Sequence, residues 1–385
     1  MKIAIITPVF PYPNRGIFPG AERYVENLAI YLKKKGNDVK VITTFWNGGN
    51  KYDDYKGIPI LRIQELKNLI GKKGSLFFLH YFSFGLNLFR KKNAKFYIDS
   101  DIIFLNMPIG FTRFLKTKRI PIISIFFHYV PITSASSYLF FPFYHLLERI
   151  QYKRSNIITI SKSSKRDLVK YYGLKEKFIS VIPIGIDIKK FNIANYSKKI
   201  RETYGNNILL YTGLMIPRKR IPILLKAMSY VIKEIPDAHL ILTGDGLLLE
   251  PLKNLTYSLK IQENVTFLGF LNDNELLKYL TTSDIFVFPS ELEGFGQVIL
   301  EAIASGTPVI CSNKPPMCEL VKHGGITFRL NNSKDLSNKI IQMLKNREDL
   351  AVLREQGQTE IKKYDWENVA KIYNNYIKNI IKLKR

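Results

Sequence analysis

Short apolar runs that stop at Pro/Gly loops and feed into helices recur along this chain, and that alternation limits the fold more than any other feature. It begins with "KIAIITPVF", followed by the loop "PYPNRGIFPG". "AERYVENLAIYLKKKG" then places apolar residues at helical spacing and stops at Gly36, before the apolar run "DVKVIT". Strand, helix and strand within about 40 residues make a parallel βαβ unit. Further buried-strand runs are "DIIFLNM", "PIISIFF", "NIITIS" and "FISVIPIG". The polar stretch "DIKKFNIANYSKKIRETYGNN" reads as a linker. Beyond it the alternation restarts with "ILLYTG", "IPILLKAMSYVIKEIP", "AHLILTG" and "LLLEPLKNLTYSLK", and runs on through "DIFVFPS", "GQVILEAIASG" and "PVICS". There is no fixed-period repeat, so a solenoid is excluded. The expectation is an α/β chain of two Rossmann-like, doubly wound parallel-sheet domains, 1–188 and 189–365, with a last helical segment, 366–385. Two such domains set a cleft between their strand C-terminal ends, where ligands of open α/β sheets bind.

The length of 385 residues and 46% hydrophobic content supply two cores, and 23% charged residues speak against disorder. The charge is lopsided. Residues 1–190 hold 32 basic and 12 acidic side chains, a balance of +20 out of a total of +26. A basic half suits anionic partners such as phosphate groups or anionic lipid, and equally suits a solvated Lys-rich surface. Cys311 and Cys318 match no common zinc spacing, so a reduced, cytoplasmic setting is expected. The first apolar run is broken by Pro8 and reads as a buried strand rather than a signal peptide. No stretch is long enough to span a bilayer. The aromatic segment "SLFFLHYFSFGLNLF" with basic flanks fits a core helix or a membrane interface, and the basic final helix fits docking on the first domain or on a membrane.

Chemistry concentrates in "SELEGFGQVILEAIASGTPV". The strand before it brings the loop to the C-terminal end of the sheet. Gly294 and Gly296 let backbone approach a ligand, and the following helix start offers N–H groups to an anion. Glu293 lies in the loop and Glu301 about one and a half turns into the helix. Carboxylates there accept hydrogen bonds from sugar or ribose hydroxyls. Glu291 has no role in this reading. "YTGLMIPRKRIPILL" puts Arg218, Lys219 and Arg220 at another helix start. Cations there oppose the helix dipole, so they need another purpose, and a diphosphate supplies one. "LTGDGLLLEPL" places a Gly-Asp-Gly at a third strand-to-helix turn.

The order of these motifs resembles glycosyltransferase family 4, retaining enzymes of the two-domain GT-B architecture. "FPSELEGFGQVILEAIASGTPVI" resembles the family's E-x7-E signature, with Glu293 and Glu301 as its two acids. "PGAERYVENLAIYLKKKGNDVKVIT", "ISKSSKRDLVKYYG", "VIPIGIDIKKF" and "VTFLGFLNDNELLKYLTTSDIFVFPS" resemble successive family segments, so the likeness covers nearly the whole chain. "DWENVAKIYNNY" resembles the helix that crosses back to the first domain. The resemblance implies that Glu293 contacts the donor sugar and Glu301 the nucleotide ribose. It implies that backbone at Gly294, Phe295 and Gly296 meets sugar or phosphate, and that Lys219, with Arg218 beside it, binds the diphosphate. Gly20 would face the donor phosphates and His128 would stand at the active site. It implies a UDP- or GDP-sugar donor and no metal or other cofactor. Two positions depart from the pattern. Leu214 stands where the family usually has Arg, and Arg220 where it usually has Gly; Arg218 or Arg220 is a candidate to restore the charge. In the first loop Pro19 replaces a common second glycine.

The function expected is a retaining hexosyltransferase acting on a glycan or lipid-linked acceptor, such as a polyprenyl-phosphate-linked one, at an anionic membrane surface, peripheral to the inner face of the cell membrane. On these roles Glu293→Ala abolishes transfer with folding intact. The alternative is a non-catalytic sugar-nucleotide or membrane-binding subunit with a degenerate diphosphate site. A glycoside hydrolase fits poorly, because two glutamates on one loop-helix element do not flank a sugar. "DSD" at 99–101 reads as strand entry rather than a metal motif, and no nucleic-acid module is present.

Overall fold

The computed structural model describes residues 1–8, 10–11, 20–45, 50–63, 84–88, 90–106, 120–127, 145–191 and 193–384. The chain divides into two compact units, Met1–Gly185 with Trp366–Arg385, and Ile186–Asp365.

In the first unit the strands are β1 Lys2–Ile6, β2 Asp38–Thr44, β3 Tyr52–Tyr55, β4 Ile58–Ile63, β5 Ile102–Leu105, β6 Ile122–Phe126, β7 Asn156–Thr159 and β8 Ile179–Val181. Among the described residues they form one sheet in the order β3-β4-β2-β1-β5-β6-β7-β8. β3 runs antiparallel to β4; the other pairings are parallel. The central strands read as unbroken apolar runs because both faces are covered, and Ile3 to Ile6 are at most 1% exposed. β3 and β4 were not expected from the sequence. They are a hairpin of a polar edge strand, β3, on the apolar β4, turning through Lys56 and Gly57, both at positive φ, a turn without the usual Asn-Gly signal.

Helix α1 is Gly20–Lys34 and α2 is Lys162–Tyr172. Ser161 caps α2, its Oγ accepting from the Ser164 amide at 3.0 Å. The C-terminal helix Trp366–Lys384 belongs to this unit. Its apolar stripe of Trp366, Val369, Ala370, Tyr373 and Ile377 is buried, with Trp366 stacked on Tyr31 of α1 at 5.7 Å and Tyr373 hydrogen-bonded to Tyr24. Of the two docking options read from the sequence, this stripe takes the protein rather than a membrane. Asp99 pairs with Lys40 at 2.7 Å, and Asp101 accepts from the Lys2 amide at 2.7 Å, so these two acids of "DSD" serve the strand edge.

In the second unit the strands are β9 Asn207–Thr212, β10 Ala238–Thr243, β11 Val265–Gly269, β12 Ile285–Phe288, β13 Val309–Ser312 and β14 Gly325–Phe328. The helices of at least seven residues are α3 Lys198–Tyr204, α4 Ile221–Glu234, α5 Leu249–Ser258, α6 Asp273–Thr282, α7 Gln297–Ala304, α8 Ser333–Lys345 and α9 Arg347–Glu360. The sheet is wholly parallel in the order β11-β10-β9-β12-β13-β14. That is the doubly wound order, with the winding reversing between β9 and β12. The segment expected as a linker is instead built into the unit. Ile200 of α3 is buried, and Arg201 pairs at 2.7 Å with Asp284, just before β12. Among the described residues no helix is long and apolar enough to cross a membrane.

Candidate active site

The reversal point between β9 and β12 gathers the expected site residues of the second unit. After β9 the chain makes a single turn, Pro217–Lys219, and enters α4 through Arg220. After β12 it runs through Ser290 to Gly296, which caps α7 at φ 91. Glycine suits that left-handed cap, and among the described residues no side chain caps the helix, so its start stays open to an anion.

The two loops meet at Glu293. Its Oε1 accepts from Lys219 Nζ at 2.6 Å, Ser290 Oγ at 2.6 Å and Arg218 Nη1 at 3.1 Å. Arg218 Nη1 also donates to the Leu292 carbonyl at 2.7 Å, and the Arg218 carbonyl accepts from the Glu291 amide at 2.8 Å. Arg218 therefore braces the acidic loop at three points. Lys219 is 8% exposed and its Nζ stands 4.7 Å from the centre of the Phe288 ring, a cation–π contact. Burial pulls the Lys219 ammonium below the ordinary lysine value, and Glu293 offsets that only in part. Burial alone would raise the Glu293 carboxyl, but Lys219, Ser290 and Arg218 outweigh it and hold it below the ordinary carboxylate range. Tyr211 stacks on Phe288 at 6.4 Å and donates to the Leu214 carbonyl at 3.1 Å; burial, then the Glu293 charge, push its phenol up.

Sequence reasoning missed Ser290, Phe288, Tyr211 and the partner of Glu291. Glu291 has a structural role: its Oε2 accepts from Arg220 Nε at 2.9 Å and lies 2.6 Å from Arg220 Nη2 in an ion pair. Arg220 sits at φ 53, ψ 29, the left-handed region that explains a glycine at this position in the family. Its guanidinium is paired with the half-exposed Glu291 carboxylate. Leu214 is 59% exposed. The Gly-Asp-Gly turn braces this loop, with the Met215 amide donating to the Asp245 carbonyl at 2.8 Å and the Leu248 amide to Met215 at 2.9 Å.

The other expected residues are spread further. Glu301 lies on α7, one turn after Gln297, whose Nε2 donates to its Oε1 at 3.0 Å. The Phe295 side chain is buried against Tyr364, so only its backbone can face a ligand. Gly20 begins α1 in the first unit. His128 lies outside the described residues.

Comparison with known proteins decides what this arrangement belongs to. The profile described as "Glycosyl transferases group 1" matches residues 192–360, and "Glycosyltransferase Family 4" matches residues 19–190. The chain belongs to glycosyltransferase family 4. An uncharacterized glycosyltransferase of Methanocaldococcus jannaschii is 28% identical, covering 96% of this chain and 96% of that protein. The alpha-monoglucosyldiacylglycerol synthase of Streptococcus pneumoniae is 27% identical over 89% of this chain and 78% of its own length. Anabaena HepE, solved in complex with UDP and glucose, matches with a TM-score of 0.74 at 19% identity, covering 98% of this chain and 100% of that one. The family 4 glycosyltransferase thus has the GT-B fold.

Proposed function

We propose that this glycosyltransferase moves a hexose-type sugar, with retention, from a UDP- or GDP-sugar to a glycan or lipid-linked acceptor, a polyprenyl-phosphate-linked one among the candidates, at the cytoplasmic face of a membrane. The observation that carries the reading is the buried Lys219–Glu293 pair at the reversal point of the second sheet, beside the open start of α7. Lys219 and Arg218 take the donor diphosphate, with backbone at Gly294, Phe295 and Gly296 against phosphate or sugar. Three donors converge on Glu293 Oε1. An incoming diphosphate competes for Lys219 and Arg218 and thereby releases the carboxylate to accept from sugar hydroxyls. Glu301 takes the ribose diol, and Gly20 and His128 serve from the first unit. The bond from the anomeric carbon to the diphosphate breaks as the acceptor oxygen bonds to that carbon on the same face. The leaving phosphate oxygen takes the acceptor proton, and the cations stabilise its developing charge. No metal is required in this scheme. The relatives support the two substrates: HepE is known with UDP and glucose, and the streptococcal relative is named for a glucolipid product.

Exposed Leu214 favours a second reading, a sugar-nucleotide-binding subunit without turnover. A panel of UDP- and GDP-sugars, scored by thermal shift and then by nucleoside diphosphate release, separates the two. A donor that binds tightly with neither transfer nor slow hydrolysis would exclude the enzyme reading.

A further inference from the structure

We infer that the face built by the helical stretch 145–152, the end of α2 and the turn before β8 is the surface that docks on an anionic lipid bilayer. This rests on the membrane setting proposed above and names the part of the first unit that makes the contact. On the stretch 145–152, Leu146, Arg149, Ile150 and Lys153 follow a three- and four-residue spacing into the next turn, and all four are exposed. The other side of that stretch is buried through Glu148, Gln151 and Tyr152. The end of α2 lies against it. The His145 and Tyr172 rings are 4.4 Å apart, and Arg149 Nη2 comes within 3.6 Å of where a Cβ on Gly173 would stand. From there Tyr171 and Phe178 project 44% and 59% exposed on either side of a lysine-rich turn.

The charge on this face is one-sided. The whole segment 145–181 holds 9 basic and 3 acidic side chains; of the acids, Glu148 is buried and Glu176 is exposed between Lys175 and Lys177. Among the described residues Arg149, Lys153, Lys170, Lys175 and Lys177 carry no salt bridge. Lys170 lies 4.9 Å from the Tyr171 ring centre and Lys177 5.2 Å from that of Phe178, so each exposed ring has an ammonium beside it. Aliphatic and aromatic tips set among uncompensated lysines match the boundary of an anionic bilayer: rings and Leu/Ile enter the headgroup layer, and ammonium groups meet lipid phosphates. Base-edge readout of a nucleic acid has no use for exposed Leu146 and Ile150.

Co-sedimentation with phosphatidylglycerol/phosphatidylcholine vesicles tests this at low and high salt, with pure phosphatidylcholine vesicles as reference. Wild-type protein is expected to bind the anionic vesicles and to release with salt. The triple variant Lys170→Glu/Lys175→Glu/Lys177→Glu should bind at least about a hundredfold more weakly, since each surface lysine contributes about a fivefold factor. Tyr171→Ser/Phe178→Ser should weaken binding severalfold even at low salt. The equally charged control Lys226→Glu/Lys278→Glu/Lys334→Glu, on exposed helix positions of the second unit, should lose much less. Circular dichroism verifies that each variant is folded. Equal losses in patch and control variants would overturn the assigned face while leaving the membrane setting in place. Wild-type protein that stays off anionic vesicles would overturn both, and retention on duplex DNA at the same salt would reassign the face to nucleic acid. Nucleoside diphosphate release from a donor sugar is read separately in every case, so loss of the membrane reading is distinguishable from loss of the enzyme reading.

Discussion

Replacing Glu293 by alanine tests the site through stability as well as turnover. Read from the sequence, the carboxylate serves only substrate and its loss leaves the fold untouched. The structure corrects that, because Glu293 is also the partner of a buried ammonium. The side chains of Lys219 and Glu293 are 10% and 11% exposed, so solvent screens the pair little. Removing one member of such a pair costs about 3–5 kcal/mol, chiefly from the charge left behind. Two features of Lys219 reduce the cost. Phe288 keeps its cation–π contact, and an ammonium already below the ordinary lysine value sheds its proton more readily. An expected loss of about 3 kcal/mol for the second unit follows. With a urea dependence of roughly 2–3 kcal/mol per molar, the midpoint should fall by about 1 M. The chain has two units, so the transition of the second must be followed separately, for example by hydrogen exchange in β9 and β12 across a urea series. Glu293→Gln keeps an acceptor for Ser290 and Arg218 and should lose roughly half as much. Lys219→Met/Glu293→Gln removes both charges and should regain most of the loss. An alanine variant within about 0.2 M of wild type, or a double variant no better than the single, would refute the buried ion pair.

Leu214→Arg should leave stability within about 0.5 kcal/mol, since the side chain is exposed, and should tighten UDP or GDP binding about tenfold by calorimetry. Arg220→Gly and Arg220→Ala both lose the half-exposed Glu291 pair, but alanine still bears the Cβ cost of the left-handed φ and glycine does not, so glycine should be the more stable by about 1 kcal/mol; equal urea midpoints would contradict that. Glu293, held low in the fold, stabilises above the unfolded carboxylate range and stops doing so as pH falls through its folded value, so wild type should show an acid loss of stability that Glu293→Ala lacks. Lys219, also held low, acts at the other end: the unfolded chain binds more protons, so stability rises as pH climbs from its folded value toward that of an ordinary lysine. Gly185→Ala would place a Cβ 2.4 Å from Trp366 and should loosen the C-terminal helix, raising its cleavage rate in limited proteolysis.

What the sequence reveals and what it hides follow the same physics in both units. Runs such as Ile3–Ile6 and Ile285–Phe288 are legible because a strand covered on both faces must be apolar throughout. In the β3–β4 hairpin only β4, "IPILRI", is apolar; the edge strand β3 is "YDDY" and the turn uses Lys-Gly, so the pairing carries no such signal. β14 begins on Gly325, whose Cβ position falls 2.1 Å from the Val309 carbonyl, so close backbone approach rather than hydrophobic patterning places it. α3 was hidden for a related reason. Its hold on the unit is one buried isoleucine, the Tyr204 ring against His239, and an arginine whose partner, Asp284, is 83 residues away.

At the candidate site the division is between identity and pairing. The spacing of Glu293 and Glu301 and the cations at 218–220 are visible in one dimension. That Glu293 answers Lys219 while Glu291 answers Arg220 is not, because these pairs span 74 and 71 residues and depend on β9 and β12 being neighbours. Once that adjacency is known, the departure at Arg220 reads differently. An arginine in a glycine position carries a backbone cost of about 1–2 kcal/mol, and an exposed ion pair worth at most about 1 kcal/mol does not fully offset it. The excess is small beside the roughly 3 kcal/mol that removing either partner of the buried pair one residue earlier would cost. Lys219–Glu293 therefore anchors the two loops to each other, and Arg220–Glu291 adds a second, weaker tie on the solvent side. A diphosphate that draws Lys219 and Arg218 away from Glu293 would leave that outer tie as the loops' remaining charged link.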